Sequence, residues 1–221
     1  MATTLKAQPR LARLTRGREA NMNTTSTRRA TQATCSATPQ TSVLFVCLGN
    51  ICRSPSAEGV FRAVVDKAGL ASSILVDSCG TGGGSPDWYL PGGFSYHEGD
   101  DADSRMSASA SKRGYKLTSI SRPLKPEDVR KFDYIVGMEE KNLTAIRRAV
   151  TSWREDPGRN GELPDDEAVE RKLKIMTDFC TRTTPPPSKV PDPYYGGAAG
   201  FELVLDLLED ACDGLLDDMN Q

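Results

Sequence analysis

Short apolar runs alternate with amphipathic stretches along most of the chain. The apolar runs predict strands at 43–46, 74–77, 134–137 and 173–176. Apolar residues at helical spacing predict helices near 55–68, 105–114, 140–152 and 200–217. This alternation is typical of an α/β domain in which helices cover both faces of a parallel sheet, a three-layer sandwich. Such sheets bind their ligands where the strands end at their carboxyl edge.

The first apolar run leads into a loop that is suited to binding an anion. The run ends at Cys47, and Ser54-Pro55 begins a helix, since proline in a first helical turn loses only an N–H that is already unpaired. Residues 47–53 therefore connect a strand to a helix. Gly49 and Asn50 tolerate positive φ angles, so the backbone N–H groups of the loop can face inward around an oxyanion.

Two side chains of this loop predict phosphate chemistry. The positive end of the following helix favours the thiolate form of Cys47, which is the nucleophilic form. Arg53 offers a planar fork for two phosphate oxygens. Cys-x5-Arg also arises by chance, as a buried cysteine beside a surface arginine, but the strand before it and the helix after it favour a phosphate site.

A second segment, Asp192-Pro193-Tyr194-Tyr195-Gly196, supplies an acid beside two aromatic residues. Prolines before it and glycines after it predict a loop. Asp-Pro alone is most often a turn, but the paired tyrosines can form a slot for a phenyl ring. A carboxylic acid at such a slot is suited to protonate a departing phenolate.

Together the two segments resemble those of low-molecular-weight protein tyrosine phosphatases. The resemblance runs from about Ser42 to the C-terminus, and it is to a plant or algal plastid-type member of the family. The resemblance implies a four-stranded parallel sheet in the order 2-1-3-4. It implies hydrolysis of phosphotyrosine in proteins, and of aryl phosphates, through a cysteinyl phosphate without a cofactor or metal. Cys47 would attack phosphorus, Arg53 would bind the phosphoryl oxygens, and Asp192 would protonate the leaving group.

The resemblance also assigns supporting residues. Phosphate binding falls to the rest of the loop, namely Leu48, Gly49, Asn50, Ile51, Cys52 and Ser54. Ser78 would support the loop. Tyr96, Tyr194 and Tyr195 would form the substrate rim. For the oligomeric state of the protein, we expect a monomer.

Some segments depart from the family pattern. Residues 86–94 look inserted, and their Trp88 and Tyr89 would either extend the rim or pack beneath it. Ser119 stands where the family often has a histidine. His97, the only histidine, is predicted to be a surface residue rather than a catalyst. The acidic stretch 154–171 is predicted to be a solvated loop, with a partner site as the alternative.

Three other functions share parts of this pattern. An arsenate reductase needs a downstream pair of shuttling cysteines and commonly has Gln where this chain has Pro55. No such pair is visible in the sequence after Cys79. Phosphoarginine phosphatases tend to carry Thr where this chain has Ile51, whose apolar side chain suits a phenyl ring. A phosphotyrosine-binding module without activity would have lost Cys47 or Asp192, and both are present.

The six cysteines show no Cys-x2-Cys spacing, and with one histidine they do not predict a zinc site. Cys52 lies in the loop of Cys47 and has two interpretations. It is either a small apolar residue that packs the loop or a redox partner that captures oxidised Cys47 as a disulfide. The family resemblance favours the redox partner.

Residues 1–41 differ from the rest in composition. They carry seven basic residues against the single acid Glu19 and are rich in Ser and Thr. This composition predicts a disordered transit peptide, for the chloroplast in preference to the mitochondrion. A mitochondrial address and a disordered basic tail on a cytoplasmic protein are the two alternatives. Removing its excess of six positive charges from the total of −2 leaves residues 42–221, the predicted phosphatase domain, near −8. That charge argues against nucleic-acid binding and suggests basic or neutral phosphopeptides. No segment has the roughly 20 apolar residues that a membrane helix needs.

Overall fold

The computed structural model describes residues 41–156, 163–194 and 197–220. The strands are β1 (Thr41–Cys47), β2 (Ile74–Gly80), β3 (Tyr134–Gly137) and β4 (Leu173–Ile175). The α-helices are α1 (Arg53–Lys67), α2 (Ser104–Lys112), α3 (Pro126–Lys131), α4 (Glu140–Glu155), α5 (Asp166–Lys172) and α6 (Ala198–Met219). Two short 3₁₀ helices cover Gly82–Gly84 and Met176–Phe179. The predicted targeting segment lies, except for Thr41, outside the described residues.

All strand pairs are parallel, and the sheet order β2-β1-β3-β4 confirms the order 2-1-3-4. The central strand β1 is buried on both faces, which explains why it reads as an unbroken apolar run. Phe45 packs with α1 and α6 on one face, and its ring lies 5.6 Å from that of Phe61. Leu44 and Val46 pack with α3, α4 and α5 on the other face. The result is the three-layer α/β sandwich that the sequence predicts.

Two helices, α3 and α5, were not expected from the apolar pattern. Helix α5 corrects the prediction that 154–171 is a solvated loop: α4 runs to Glu155, and α5 begins after Asp165, whose carboxylate accepts from the N–H of Ala168 (2.7 Å). Only Val169 of α5 is buried, so this short helix has no apolar stripe to reveal it. Residues 157–162 lie outside the described part.

Trp88 and Tyr89 of the segment 86–94 pack into the apolar cluster on the face of the sheet that α3, α4 and α5 cover. The indole N–H of Trp153 donates to the carbonyl of Tyr89 (2.8 Å), and the rings of Trp88 and Trp153 lie 6.1 Å apart. Gly82, at φ +90°, passes so close to Trp88 that a Cβ there would clash with the indole. Trp88 and Tyr89 are therefore buried under the rim. In the described ranges, no helix is long and apolar enough to cross a bilayer.

Candidate active site

The loop between β1 and α1 lies at the carboxyl edge of the sheet, as the sequence predicts. Cys47 is the last residue of β1, and Arg53 is the first residue of α1. Asn50 adopts a left-handed conformation (φ 54°), which asparagine tolerates better than most residues. At Gly49 a Cβ would lie 3.0 Å from the His97 ring, so a larger residue there would require this ring to shift. The loop therefore turns at Asn50 and passes close to His97.

Two donors point at that sulfur. The backbone N–H of Asn50 lies 3.2 Å from Sγ, and the hydroxyl of Ser54 lies 3.1 Å from it. Cys47 and Ser54 are both buried, and Ser54 belongs to the first turn of α1. Donors and a helix N-terminus both stabilise negative charge that develops on the sulfur during phosphoryl transfer.

A chain of side chains holds these donors in place. The amide group of Asn50 donates to Ser54 (3.0 Å) and to Ser78 (2.9 Å), and the Ser78 hydroxyl donates to Glu58 (2.7 Å). Because Ser54 accepts from Asn50, its own proton is left for the sulfur or for the carbonyl of Cys79. The predicted support residue Ser78 therefore lies in direct contact with the loop.

Glu58 is a member of this network that the sequence did not single out. Glu58 is a buried carboxylate on α1. Its position between apolar residues of the helix is the one sequence feature that could have indicated this burial. The segment at 119–122 also meets the network, but through the backbone N–H of Arg122, which donates to the Asn50 amide oxygen (3.0 Å), rather than through Ser119.

The guanidinium of Arg53 is almost fully buried and is held by two carboxylates. Nη1 lies 2.8 Å from Glu139, and Nη2 lies 3.0 Å from Asp192. Burial tends to lower the pKa of Arg53, but Cys47, Glu139 and Asp192 outweigh it, so the pKa lies above its ordinary value. Each terminal nitrogen carries two hydrogens, so the fork keeps donors for phosphate oxygens.

These groups meet in a cavity of about 170 Å³. Its walls contain most of the predicted loop residues together with the acid: Cys47, Leu48, Gly49, Ile51, Cys52, Arg53, Gly83, His97, Asp192 and Tyr194. The structure thus brings together Cys47, Arg53 and Asp192, although the first two are 139 residues or more from the third in sequence.

The predicted rim tyrosines take different positions. Tyr194 lines the cavity, and the Arg105 guanidinium lies 5.3 Å from the centre of its ring. Tyr96 does not line the cavity; it is exposed and packs edge-on against Phe94 (4.9 Å). Tyr195 lies outside the described residues.

His97, predicted to be a surface residue, is half-buried, with 29% of its side chain exposed. Its ring lines the cavity, hydrogen bonded to Asp100 (3.1 Å) and 6.5 Å from the ring of Tyr194. The long loop that carries His97 has no periodic pattern, so the sequence offered no signal for this position.

Helix α2 anchors the rim to the loop. The backbone N–H of Asp103 donates to the carbonyl of Ile51 (2.7 Å), and the Asp103 carboxylate caps α2. Its hydrogen bond with Arg105 lowers the pKa of Asp103. Arg105 also lies over Phe201 of α6, so the rim aromatic Tyr194 is tied to the core.

The remaining cysteines have different environments. Cys52 lines the cavity, and burial, with smaller effects of Asp103, Cys47 and Asp192, raises its pKa to about 12. Burial also raises the pKa values of Cys79, Cys180 and Cys212, which are absent from the cavity wall. Within the described part of the chain, no cluster of His, Cys, Asp and Glu is placed to hold a metal ion.

Known proteins share this sequence and fold. The family model for low molecular weight phosphotyrosine protein phosphatases matches residues 42–221. A protein of Synechocystis sp., assigned by name to the low molecular weight protein-tyrosine-phosphatases, is 43% identical over 79% of this chain and 93% of its own. The chain therefore belongs to the low molecular weight phosphotyrosine protein phosphatase family, a family of enzymes.

Solved structures of related phosphatases share the fold of this chain. A protein tyrosine phosphatase from Entamoeba histolytica matches with a TM-score of 0.66 and 39% identity, over 81% of this chain and 97% of that one. A Drosophila arginine phosphatase matches with a TM-score of 0.63 and 25% identity, over 81% of this chain and 98% of that one.

Proposed function

We propose that the protein hydrolyses phosphotyrosine in proteins through a phosphorylated Cys47, with Arg53 binding the phosphoryl group and Asp192 acting as proton donor. One observation carries the proposal. The sulfur of Cys47 accepts two hydrogen bonds at a cavity whose walls also hold the Arg53 guanidinium and the Asp192 carboxyl.

In the first step, the Cys47 sulfur attacks phosphorus and the bond from phosphorus to the phenolic oxygen breaks. Asp192, in its protonated form, gives its proton to that oxygen, so the leaving group departs as a neutral phenol. Arg53 stabilises the charge on the transferred phosphoryl oxygens. Glu139 holds the guanidinium in place through Nη1.

In the second step, water attacks the phosphorus of the cysteinyl phosphate. The Asp192 carboxylate accepts a proton from this water, and the bond from sulfur to phosphorus breaks. Cys47 departs as a thiolate, which the N–H of Asn50 and the hydroxyl of Ser54 stabilise. Phosphate leaves and the donors around the sulfur are unchanged, so the site is ready for another turnover.

The cavity walls support an aryl substrate. Ile51 and Tyr194 offer apolar surface beside the phosphate loop. A phosphoarginine substrate would place a guanidinium against Ile51, which has no hydrogen-bonding group. This difference favours phosphotyrosine over the activity named for the Drosophila structure.

The variant Cys47→Ser tests the mechanism. We expect hydrolysis of p-nitrophenyl phosphate to fall by roughly 10⁴-fold or more, because only the nucleophile is lost. Inorganic phosphate should still bind, since the loop and Arg53 remain. Substantial remaining hydrolysis would exclude a covalent intermediate on Cys47, and parallel assays with phosphoserine, phosphoarginine and arsenate define the substrate class.

We also propose that peroxide inactivates the enzyme reversibly through Cys52. Peroxide oxidises the Cys47 thiolate to a sulfenic acid, the Cys52 sulfur attacks it, a disulfide forms and water leaves. Burial raises the pKa of Cys52 to about 12, so the Cys52 thiol itself is a poor target for peroxide. Brief peroxide treatment, mass spectrometry and dithiothreitol test this. Equal recovery in Cys52→Ser, or only sulfinic and sulfonic Cys47, would contradict it.

Finally, we propose that residues 1–41 direct the protein to the chloroplast. Seven basic residues, one acid and many Ser and Thr support this. In photosynthetic cells, a fluorescent protein carrying residues 1–41 should enter plastids, and one carrying only 42–221 should not. Mitochondrial or cytoplasmic fluorescence would reject the assignment. Sedimentation of residues 42–221 tests the expected monomer.

A further inference from the structure

A second and larger cavity adjoins the catalytic one. Its volume is about 570 Å³, and Leu48, Arg53 and Asp192 lie in the walls of both cavities. One side of it is α4, and the other is the packed segment with Trp88 and Tyr89. We call this second cavity the side groove.

Three cationic side chains line the side groove. Lys141 and Arg148 belong to one face of α4 together with Thr144 and Ala145, at spacings of three, four and seven residues. Lys189 comes from the loop that carries Asp192, three residues before that acid. All three are exposed. Cations from two separate elements thus meet at one concave surface.

Among the described residues, none forms an ion pair with these cations. Arg147, the next residue on α4, is paired with Glu140 and Glu170, whereas no ion pair between described residues involves Lys141, Arg148 or Lys189. The guanidinium of Arg148 lies 5.4 Å from the centre of the Tyr89 ring, which orients it beside the groove.

The acids of the side groove already have a partner. Glu139 and Asp192 line it, but both carboxylates are hydrogen bonded to Arg53. With Arg53 counted, the groove has four cationic and two anionic side chains. This positive surface stands out on a domain whose net charge is near −8. Its electrostatic field therefore attracts anions next to the catalytic cavity.

We infer that the side groove binds an anionic group of the substrate itself, carried a few residues from the phosphotyrosine. The inference rests on the proposed function and specifies its substrates. Because the two cavities share three wall residues and an extended peptide advances about 3.3–3.6 Å per residue, one short peptide spans both. The anion is a carboxylate side chain or a second phosphate.

This inference reverses an expectation from composition. The acidic net charge of residues 42–221 suggests basic or neutral phosphopeptides, but the charges that lie beside the catalytic cavity favour acidic ones. Exposed charges are screened by salt, so the preference for acidic peptides should fall as ionic strength rises.

The test compares phosphotyrosine peptides that differ only at positions a few residues before and after the phosphotyrosine, where they carry Glu, Gln or phosphoserine. With the full chain at low salt, we expect kcat/KM for the Glu or phosphoserine peptide to exceed that for the Gln peptide about five- to tenfold, a gain typical of several partly exposed ion pairs. If kcat/KM rises for only one of these two peptides, the result shows whether the groove binds a carboxylate or a second phosphate.

The double variant K141Q/K189Q should bring the ratio of Glu to Gln peptides close to one. The matched control K67Q/K116Q removes two exposed cations outside the groove and should keep the ratio. Because each ratio is taken within one protein, a general loss of activity cancels. Equal kcat/KM for all three peptides, or a ratio that survives K141Q/K189Q, would overturn the inference.

Failure of the proposed function gives a different result. In that case p-nitrophenyl phosphate and free phosphotyrosine, which need only the catalytic cavity, would not be hydrolysed. The preference of the side groove would then be measured as the affinities of the Cys47→Ser protein for the same three peptides. If those affinities are equal, the side groove does not bind the anion.

Discussion

The floor and the rim of the catalytic cavity are built differently. On the floor, Cys47, Asn50 and Ser54 are at most 2% exposed and belong to one hydrogen-bonded network. On the rim, Tyr194 is 37% exposed and Tyr96 is 62% exposed. The floor connects a central strand to a helix, whereas the rim consists of loops.

This difference separates two tasks. A network of buried hydrogen bonds fixes the positions of the nucleophile and its donors, which phosphoryl transfer needs for any substrate. Aromatic and cationic side chains on loops have fewer fixed partners and can distinguish one substrate from another. Changes to the floor should therefore reduce activity on every substrate, and changes to the rim should act selectively.

The largest effect after loss of Cys47 is expected for Arg53→Lys. A lysine cannot reproduce the planar fork, so kcat/KM should fall by roughly 10³-fold for p-nitrophenyl phosphate and phosphopeptides alike. Steady-state kinetics measure this. Arg130→Lys, at an exposed ion pair with Glu127, is the control and should be nearly neutral. Near-normal kinetics of Arg53→Lys would show that the fork does not bind the phosphoryl group.

A smaller and selective effect is expected for Asp192→Asn, because this acid lies between floor and rim. The rate at which phenyl phosphate phosphorylates Cys47 should fall roughly 10²-fold, since the phenolate then leaves without a proton. For aryl phosphates whose leaving phenol is much more acidic, the rate should fall far less, because that phenolate departs without needing a proton. A series of leaving groups in stopped flow measures the difference, and equal losses across the series would give Asp192 a structural role.

The two rim tyrosines should differ from each other. Tyr194→Ala should raise KM for phosphotyrosine peptides about three- to tenfold, because an aromatic contact at the cavity wall is lost. Tyr96→Ala, outside the wall, should change KM less than twofold. If Tyr96→Ala has the larger effect, the rim residues extend beyond the cavity described above.

The smallest effect concerns Asp103, which ties the rim to the floor through Ile51. Its pKa is lowered in the folded state, so its charge stabilises the fold above its unfolded pKa of about 3.9, and this contribution is lost as pH falls through the folded value. Asp103→Asn should lower the free energy of unfolding by roughly 0.5 kcal/mol at pH 7, the size of a solvent-screened ion pair.

Urea unfolding at pH 7 and pH 3 measures this difference, with Asp101→Asn as the matched control. The difference between Asp103→Asn and the unmodified chain should shrink at pH 3. If the loss of unfolding free energy caused by Asp103→Asn is instead larger at pH 3 than at pH 7, the stabilising charge belongs to another group.

Sequence patterns predict the floor better than the rim. The strand before Cys47 and the helix after it follow from local periodicity, and both segments of the catalytic site carry distinctive residues. The burial of Trp88 and the position of His97 follow from contacts with Trp153 and Gly49, which are distant in sequence. Helices α3 and α5 are short and highly charged, so no apolar pattern marks them.

The most direct test of the account is to trap the phosphorylated enzyme. The full chain is mixed with p-nitrophenyl phosphate, denatured within the first turnover at alkaline pH, digested and analysed by mass spectrometry. The account predicts one phosphoryl group on the peptide that contains Cys47 and none in Cys47→Ser. A phosphoryl group on another residue, or none in the unmodified chain, would contradict it.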